Sequence, residues 1–100
     1  MILVRDVFRL QFGKSREAVA AFKAVGAVAQ GMGFGSNSFR LLTDLVGPYY
    51  TLVLETTYES LSAYEQMGAK IMNNQEWRTA YQKFTPLAES GHREIFNIIQ

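Results

Sequence analysis

The feature that most constrains the fold of this chain is a repeated change of hydrophobic period. The opening run, "ILVRDVFRLQF", alternates with period two, which places Val4, Asp6 and Phe8 on one side of a strand. From Ser15 the apolar residues follow a helical period, and "SNSFRLLTDL" and "YYTLVLETTY" then return to strand patterns. A chain that changes period in this way folds as a sheet covered by helices.

The second half of the chain repeats the change. The stretch "ESLSAYEQMGAKIMNN" has helical spacing, and a further short helix is predicted to start at Asn74 and end at Pro86. The run "HREIFNIIQ" alternates again and predicts a fourth strand. Between the second and third strands, Gly47 and Pro48 predict a tight hairpin. Residues 1–100 are therefore predicted to form a single α+β domain of order βαββαβ, with an extra short helix before the last strand.

The rules for connections between strands predict a sheet topology from this order of elements. Right-handed crossovers and a central hairpin predict a ferredoxin-like arrangement, in which one antiparallel four-stranded sheet has the order 4-1-3-2 and carries helices on one face. The other face is left bare. Since 48% of the residues are hydrophobic and only 19% are charged, apolar surface remains to be covered. We therefore expect the bare sheet face to pair with a second copy and form a homodimer.

Composition argues against several classes of function. The net charge is only +1 and no basic run is present, so no nucleic-acid partner is expected. The absence of cysteine excludes disulfides and thiolate chemistry, and a single histidine, His92, offers no metal-ligand spacing. No apolar stretch is long enough to span a bilayer and no signal peptide is visible, so we expect a cytoplasmic protein with no membrane partner.

The alternation also separates the charged residues of the strands. The face opposite the helices is predicted to carry Arg5, Arg9, Arg40 and Glu55. One interpretation is that these residues form cross-strand ion pairs that set the register of a dimer interface. The other interpretation is that the arginines form an anion-binding site.

Asp6 is the one charged residue predicted to lie beneath the helices. Without a partner, such a carboxylate would lose much of its hydration energy or would raise its pKa and stay protonated. Beside a cavity it would be a candidate catalytic base. Trp77 and Tyr81 are four residues apart on one helical face, and this spacing is typical either of core packing or of a pocket wall that also includes Phe8.

Three segments carry a resemblance to a known group: "VRDVFRLQFGKSREAV", "YYTLVLETTYESLSAYEQ" and "NNQEWRTAYQKFTPL". The chain resembles the dimeric α/β-barrel superfamily, most of all the small bacterial NIPSNAP-like proteins, with the antibiotic-biosynthesis monooxygenase group as near relatives. The resemblance implies a homodimer in which two sheets pack face to face. The functions that it implies range from oxygen chemistry without a cofactor, through haem degradation and isomerisation, to no established activity.

The haem-degrading members of this superfamily use an Asn on the first strand together with a Trp and a His. By resemblance, Asp6 takes the place of the Asn and Trp77 lies in the region of the Trp, but His92 falls at the start of the fourth strand. We therefore expect no haem and no other cofactor.

Two functional hypotheses remain. In the first, the chain binds or oxidises a small aromatic or polyketide-like molecule in a pocket lined by Asp6, Phe8, Trp77 and Tyr81, with Asp6 as the catalytic base of a cofactor-independent, monooxygenase-like reaction. In the second, it is a non-enzymatic binding or assembly protein that uses its bare sheet face for homodimerisation. The core-like spacing of the aromatic residues favours the second hypothesis, and the sequence identifies no second catalytic group for the first.

Overall fold

The computed structural model describes residues 1–100 and contains four strands and three α-helices. In chain order the elements are β1 (Ile2–Leu10), α1 (Ser15–Gly31), β2 (Ser38–Thr43), β3 (Thr51–Tyr58), α2 (Leu61–Met72), α3 (Gln75–Phe84), a 3₁₀ turn (Thr85–Leu87) and β4 (Ala88–Asn97). The predicted order of elements, including the extra helix before the last strand, is confirmed.

The four strands form one antiparallel sheet of order β2-β3-β1-β4. This is the predicted order 4-1-3-2, and it makes β1 and β3 the central strands and β2 and β4 the edges. The register aligns Arg5 with Glu55 on one side and with Glu94 on the other. It likewise aligns Asp6 with Leu54 and with Arg93. Two adjacent residues of β1 therefore lie at the centre of opposite sheet faces.

The main core lies between the sheet and the helices, on the face where the alternation predicts it. Leu52 of β3 and Phe84 of α3 are fully buried. The ring of Phe84 packs edge-on against Phe8 and Phe22, with centroid separations of 5.1 and 4.8 Å. Gly91 of β4 makes room for this cluster, because a Cβ there would lie 3.0 Å from Cδ1 of Phe8.

Side-chain caps explain where the second and third helices begin. The Ser60 side chain accepts a hydrogen bond from the Ala63 backbone N–H at 3.1 Å, and α2 starts at the next residue. The Asn74 side chain accepts from the Trp77 N–H at 2.8 Å and starts α3 in the same way. This cap holds Trp77 in the first turn of its helix.

The tight hairpin predicted at Gly47 and Pro48 is wrong, because the connection is a wider loop over residues 44–50. The Asp44 carboxylate accepts a hydrogen bond from the Thr51 backbone N–H at 2.9 Å, and the Thr51 hydroxyl donates to the Pro48 carbonyl at 2.8 Å. They add to a backbone hydrogen bond from the Asp44 N–H to the Thr51 carbonyl at 3.2 Å, and together these bonds close the base of the loop. Tyr50 has a φ of 60° at the exit of the loop, which shows how sharply the backbone turns before β3.

Candidate functional site

A cavity of about 350 Å³ lies between the sheet and the helices. The four residues predicted to form a pocket, Asp6, Phe8, Trp77 and Tyr81, all line it. The rest of its wall is mostly aromatic and aliphatic, and it draws on α1, α2 and α3 as well as on β1, β3 and β4. The volume falls within the range of small-molecule sites, which starts at about 300 Å³.

Two glycines on facing helices help to leave this space open. Gly26 of α1 and Gly68 of α2 both line the cavity. A Cβ on Gly68 would meet no atom within 4 Å, and one on Gly26 would only touch the Phe39 ring at 3.8 Å. A larger side chain at position 68 therefore has open space to enter.

One wall of the cavity is a pair of stacked aromatic rings. Trp77 and Tyr81 lie one turn apart on α3, with a centroid separation of 4.8 Å and an interplanar angle of 12°. Burial raises the pKa of the Tyr81 phenol, and the negative charge of Asp6 raises it further. The Tyr81 hydroxyl therefore stays protonated at neutral pH and can donate a hydrogen bond.

The polar end of the cavity is an ion pair between Asp6 and Arg93. The Arg93 Nε donates to Asp6 Oδ1 at 2.5 Å, and the two side chains are 57% and 16% exposed. Burial disfavours the charge of Arg93, yet the hydrogen bond and the attraction of Asp6 leave its pKa above the ordinary value. Asp6 is thus not an unpaired carboxylate, because Arg93 supplies a counter-charge that the sequence pattern does not reveal.

Part of this ion pair remains available for further hydrogen bonds. Asp6 Oδ2 and the two Nη atoms of Arg93 make no hydrogen bond within the chain. Oδ2 is accessible, because no buried side-chain oxygen lacks a partner, and the Nη atoms belong to an exposed side chain. The Arg93 guanidinium also lies 5.7 Å from the centroid of the Tyr64 ring, which also lines the cavity. The polar end therefore offers one acceptor oxygen beside several N–H donors.

The open sheet face carries a different arrangement, which we call the charge row: Arg40, Glu55, Arg5 and Glu94, one residue from each strand and all in register. Glu55 receives a hydrogen bond from Arg40 at 2.5 Å and from Arg5 at 3.0 Å. Arg5 also donates to Glu94 at 2.9 Å. Glu55 is only 8% exposed, because two arginines cover it.

The charge row corresponds to the ion-pair interpretation of the strand charges. It includes Glu94, which sequence reasoning missed, and leaves out Arg9, which lies opposite Thr51 near the end of β1 and forms no ion pair. The opposite charges recur along a line across all four strands, so no arginine cluster stands apart as an anion site.

His92 lies on the open face, away from the cavity. Its Nε2 is 3.4 Å from Glu94 Oε2, and the side chain is 60% exposed. Asp6 and Trp77 meet at the cavity on the other side of the sheet, so the three residues do not assemble into one site. The structure contains no group of three or more His, Cys, Asp or Glu side chains that could hold a metal ion. Nor does any of its helices combine the length and apolar character needed to cross a membrane.

The fold and the site together define a ferredoxin-like α+β protein with an apolar cavity between its sheet and its helices. Neither a protein-family model nor a curated protein sequence matches the chain. Solved structures do match. A protein from Agrobacterium tumefaciens superposes with a TM-score of 0.88 at 18% identity, over 100% of this chain and 95% of that one. A NIPSNAP family protein from the same bacterium gives a TM-score of 0.84 at 20% identity, over 96% and 90%.

The antibiotic-biosynthesis group also appears among the similar structures. A candidate antibiotic biosynthesis monooxygenase from Caulobacter crescentus gives a TM-score of 0.77 at 17% identity, over 99% of this chain and 90% of that one. The resemblance predicted from the sequence is therefore confirmed as a structural likeness to both groups. At these identities the likeness establishes a shared fold.

Proposed function

We propose that this chain binds a small planar molecule, aromatic or polyketide-like, in the cavity between its sheet and its helices. The observation that carries this proposal is the combination of an apolar cavity of about 350 Å³ with a single ion pair at its polar end. An apolar enclosure with a few convergent polar groups is the usual form of a ligand site. The stacked Trp77 and Tyr81 rings supply a flat surface for the body of such a ligand.

The ion pair favours a neutral polar group on the ligand. Asp6 and Arg93 cancel each other's charge, so an anionic ligand would meet the Asp6 carboxylate and a cationic ligand would meet the Arg93 guanidinium. A neutral group that both donates and accepts hydrogen bonds can pair with Asp6 Oδ2 and with an Arg93 Nη at the same time. A primary amide, or a hydroxyl beside a carbonyl, has this character.

The geometry supports binding better than proton abstraction. Oδ1 of Asp6 is already hydrogen-bonded to Arg93, so only Oδ2 is left to receive a proton. The tyrosines that line the cavity have raised pKa values, chiefly because of burial, and serve as hydrogen-bond donors rather than as bases. If the bound molecule is oxidised there, Asp6 Oδ2 is the proton acceptor that we assign to the reaction.

The test uses three probes with one skeleton: cinnamamide, cinnamate and cinnamylammonium. Trp77 is the only tryptophan of the chain and lines the cavity, so its fluorescence reports binding directly. We expect cinnamamide to bind about tenfold or more tightly than either charged probe, because only the amide pairs with both members of the ion pair. Equal or tighter binding of cinnamate would contradict the assignment of the polar end.

A matched pair of variants locates the binding. Gly68→Leu places a bulky side chain in the cavity, and Ala69→Leu adds a leucine at the next, exposed position of the same helix. We expect Gly68→Leu to abolish cinnamamide binding and Ala69→Leu to preserve it. Retained binding in Gly68→Leu would show that the probe occupies another part of the protein.

We propose, as a second candidate function, that the open sheet face forms a homodimer. Apolar residues flank the charge row: Leu42 and Phe96 are 37% and 48% exposed on the two edge strands, on opposite sides of the row. A face of this kind is typical of protein contacts. Native mass spectrometry tests the proposal, with a dimer as the expected result and a monomer as the contradicting one.

A further inference from the structure

We infer that the charge row makes the open sheet face complementary to a second copy of this chain in one orientation, with the twofold axis parallel to the strands. The inference rests on the proposed homodimer and adds to it the geometry and the selectivity of the pairing. It is carried by the sign order of the row, which is independent of the cavity.

The sign order across the sheet is positive, negative, positive, negative. It runs from Arg40 on the β2 edge, through Glu55 and Arg5 on the central strands, to Glu94 on the β4 edge. Neighbouring strands are about 4.8 Å apart, so the row is a regular pattern of charge perpendicular to the strands. Its charges sum to zero, and it therefore attracts neither a polyanion nor a polycation as a whole.

Only one way of stacking two such rows brings opposite charges together. When two copies face each other across a twofold axis parallel to the strands, the partner's row is reversed left to right. Arg40 then faces Glu94 of the partner subunit, and Glu55 faces Arg5 of the partner subunit. A twofold axis that lies along the row instead places every residue opposite its own copy, so that like charges meet at all four positions. For face-to-face sheets packed with their strands roughly aligned, these are the two alternatives to compare.

Different residues of this face supply the buried area of the dimer and fix the orientation of its two subunits. On one side of the charge row lie Leu42, Val53 and Val7 in register, and on the other side lie Leu3 and Phe96. These apolar residues supply the area that a dimer buries. The charge row supplies specificity, because opposed like charges inside an interface are strongly unfavourable whereas paired ones are tolerated.

The experiment reverses the whole charge row in one variant: Arg5→Glu, Arg40→Glu, Glu55→Arg and Glu94→Arg. Every cross-strand pair within the chain keeps an opposite charge, the net charge is unchanged, and a homodimer of the variant is as complementary as that of the wild type. A mixed dimer of wild type and variant is not, because the strand-parallel axis then brings like charges together at all four positions. Native mass spectrometry of an equal mixture after subunit exchange measures the fraction of mixed dimer.

We expect both homodimers to persist and the mixed dimer to fall roughly tenfold below its statistical share of one half. Preferential formation of the mixed dimer would overturn the inference in favour of the other axis. A statistical mixture would overturn it as well, while leaving the proposed homodimer intact. Monomers at every concentration would overturn the homodimer itself, and the inference with it.

A single substitution keeps the inference testable if the fourfold variant does not fold. The Arg40 side chain is 69% exposed on an edge strand, so Arg40→Glu is compatible with folding. The strand-parallel axis puts the new carboxylate opposite Glu94 of the partner subunit once in a mixed dimer and twice in a variant homodimer. We therefore expect the dimer dissociation constant to rise from the wild type to the mixed dimer to the variant. A mixed dimer more stable than the wild-type homodimer, or three equal dissociation constants, would overturn the inference. Added salt should reduce the differences, because it screens charges at the rim of the interface.

Discussion

Arg5 and Asp6 are neighbours in β1, yet they belong to two different surfaces of this protein. Asp6 faces the helices, where it has one counter-charge, Arg93, at the end of an apolar cavity. Arg5 faces the open side of the sheet, where it lies between two carboxylates in a line of alternating charge. One strand thus contributes to two surfaces of different character. The covered face has an apolar cavity with one polar contact, which we propose binds a ligand, whereas the open face has a pattern of alternating charge, which we propose orients a dimer.

The largest expected difference between the two faces is in how much stability the protein loses when an aliphatic side chain is shortened to alanine. Leu52 is completely buried on the covered face, and Leu42 is 37% exposed on the open face. We expect Leu52→Ala to lower the free energy of unfolding by about 2–5 kcal/mol, because it leaves a cavity in a packed core. Leu42→Ala should cost the monomer less than about 1 kcal/mol.

Urea denaturation at low protein concentration measures both effects without a contribution from association. Equal losses in the two variants would contradict the assignment of the core to one face. If the open face forms a dimer, Leu42→Ala should instead weaken the dimer, as measured by dilution.

Two glycines sharpen the comparison within the covered face. At Gly91 a new Cβ would lie 3.0 Å from Cδ1 of Phe8 and 3.2 Å from the Val7 carbonyl oxygen. We expect Gly91→Ala to destabilise the protein by about 1–3 kcal/mol through overpacking. At Gly68, where no atom would lie within 4 Å, we expect Gly68→Ala to stabilise α2 by up to about 1 kcal/mol. Thermal denaturation measures both changes in stability. A change of the same sign in both variants would contradict the tight surroundings that we assign to Gly91 and the open space that we assign to Gly68.

The ion pairs of the two faces differ in exposure, and this predicts a smaller difference in stability. Asp6 is 16% exposed, and we expect Asp6→Asn to cost about 1 kcal/mol, because the partly buried Arg93 loses its counter-charge. Glu94 is 37% exposed at the edge of the sheet, so Glu94→Gln should cost a few tenths of a kcal/mol at most. Chemical denaturation of the monomer measures the loss of stability in each variant. A larger loss for Glu94→Gln than for Asp6→Asn would contradict the prediction.

The smallest expected effect is a loss of stability at alkaline pH from the tyrosines of the covered face. Burial raises the pKa values of Tyr58, Tyr64 and Tyr81 above the ordinary value of 10.0. The folded state thus holds these phenolic protons more tightly than the unfolded state does. Their contribution to stability is complete below about pH 10 and is lost as the pH rises through the raised pKa values.

Melting temperature between about pH 8 and pH 11 measures this loss. Tyr81→Phe should make the decline shallower, because one of the three titrating groups is removed. A wild-type protein whose tyrosines ionise like free tyrosine would contradict the prediction, and absorbance of the phenolate band shows this directly.

The faces of the central strands could be predicted from the sequence. Alternation divides each strand into two sets, and the more apolar set, with Asp6 on β1 and with Leu52 and Leu54 on β3, is expected beneath the helices. The pocket residues Trp77 and Tyr81 could be named for a similar reason, since helical spacing puts them on one side of α3. Arg93 could not be identified as the partner of Asp6. Its position opposite Asp6 depends on the register of β4, which follows a 3₁₀ turn and has an irregularity opposite Arg9 and Leu10.

The loop between β2 and β3 shows a second limit of sequence patterns. Gly47 and Pro48 correctly mark a change of chain direction there. The loop is longer than these two residues indicate, and the Asp44 and Thr51 side chains form hydrogen bonds that hold its base. Local composition therefore indicates a turn, whereas specific side-chain hydrogen bonds stabilise the particular loop that forms.

The measurement that tests the account most directly is native mass spectrometry with cinnamamide on the wild type, Gly68→Leu and Ala69→Leu. The account predicts a dimer that carries cinnamamide for the wild type and Ala69→Leu, and a dimer of unchanged mass for Gly68→Leu. This result would show that the cavity binds the ligand and that the protein forms a dimer without using the cavity. A Gly68→Leu dimer that still carries cinnamamide, or a wild-type protein that shows neither ligand nor dimer, would contradict it.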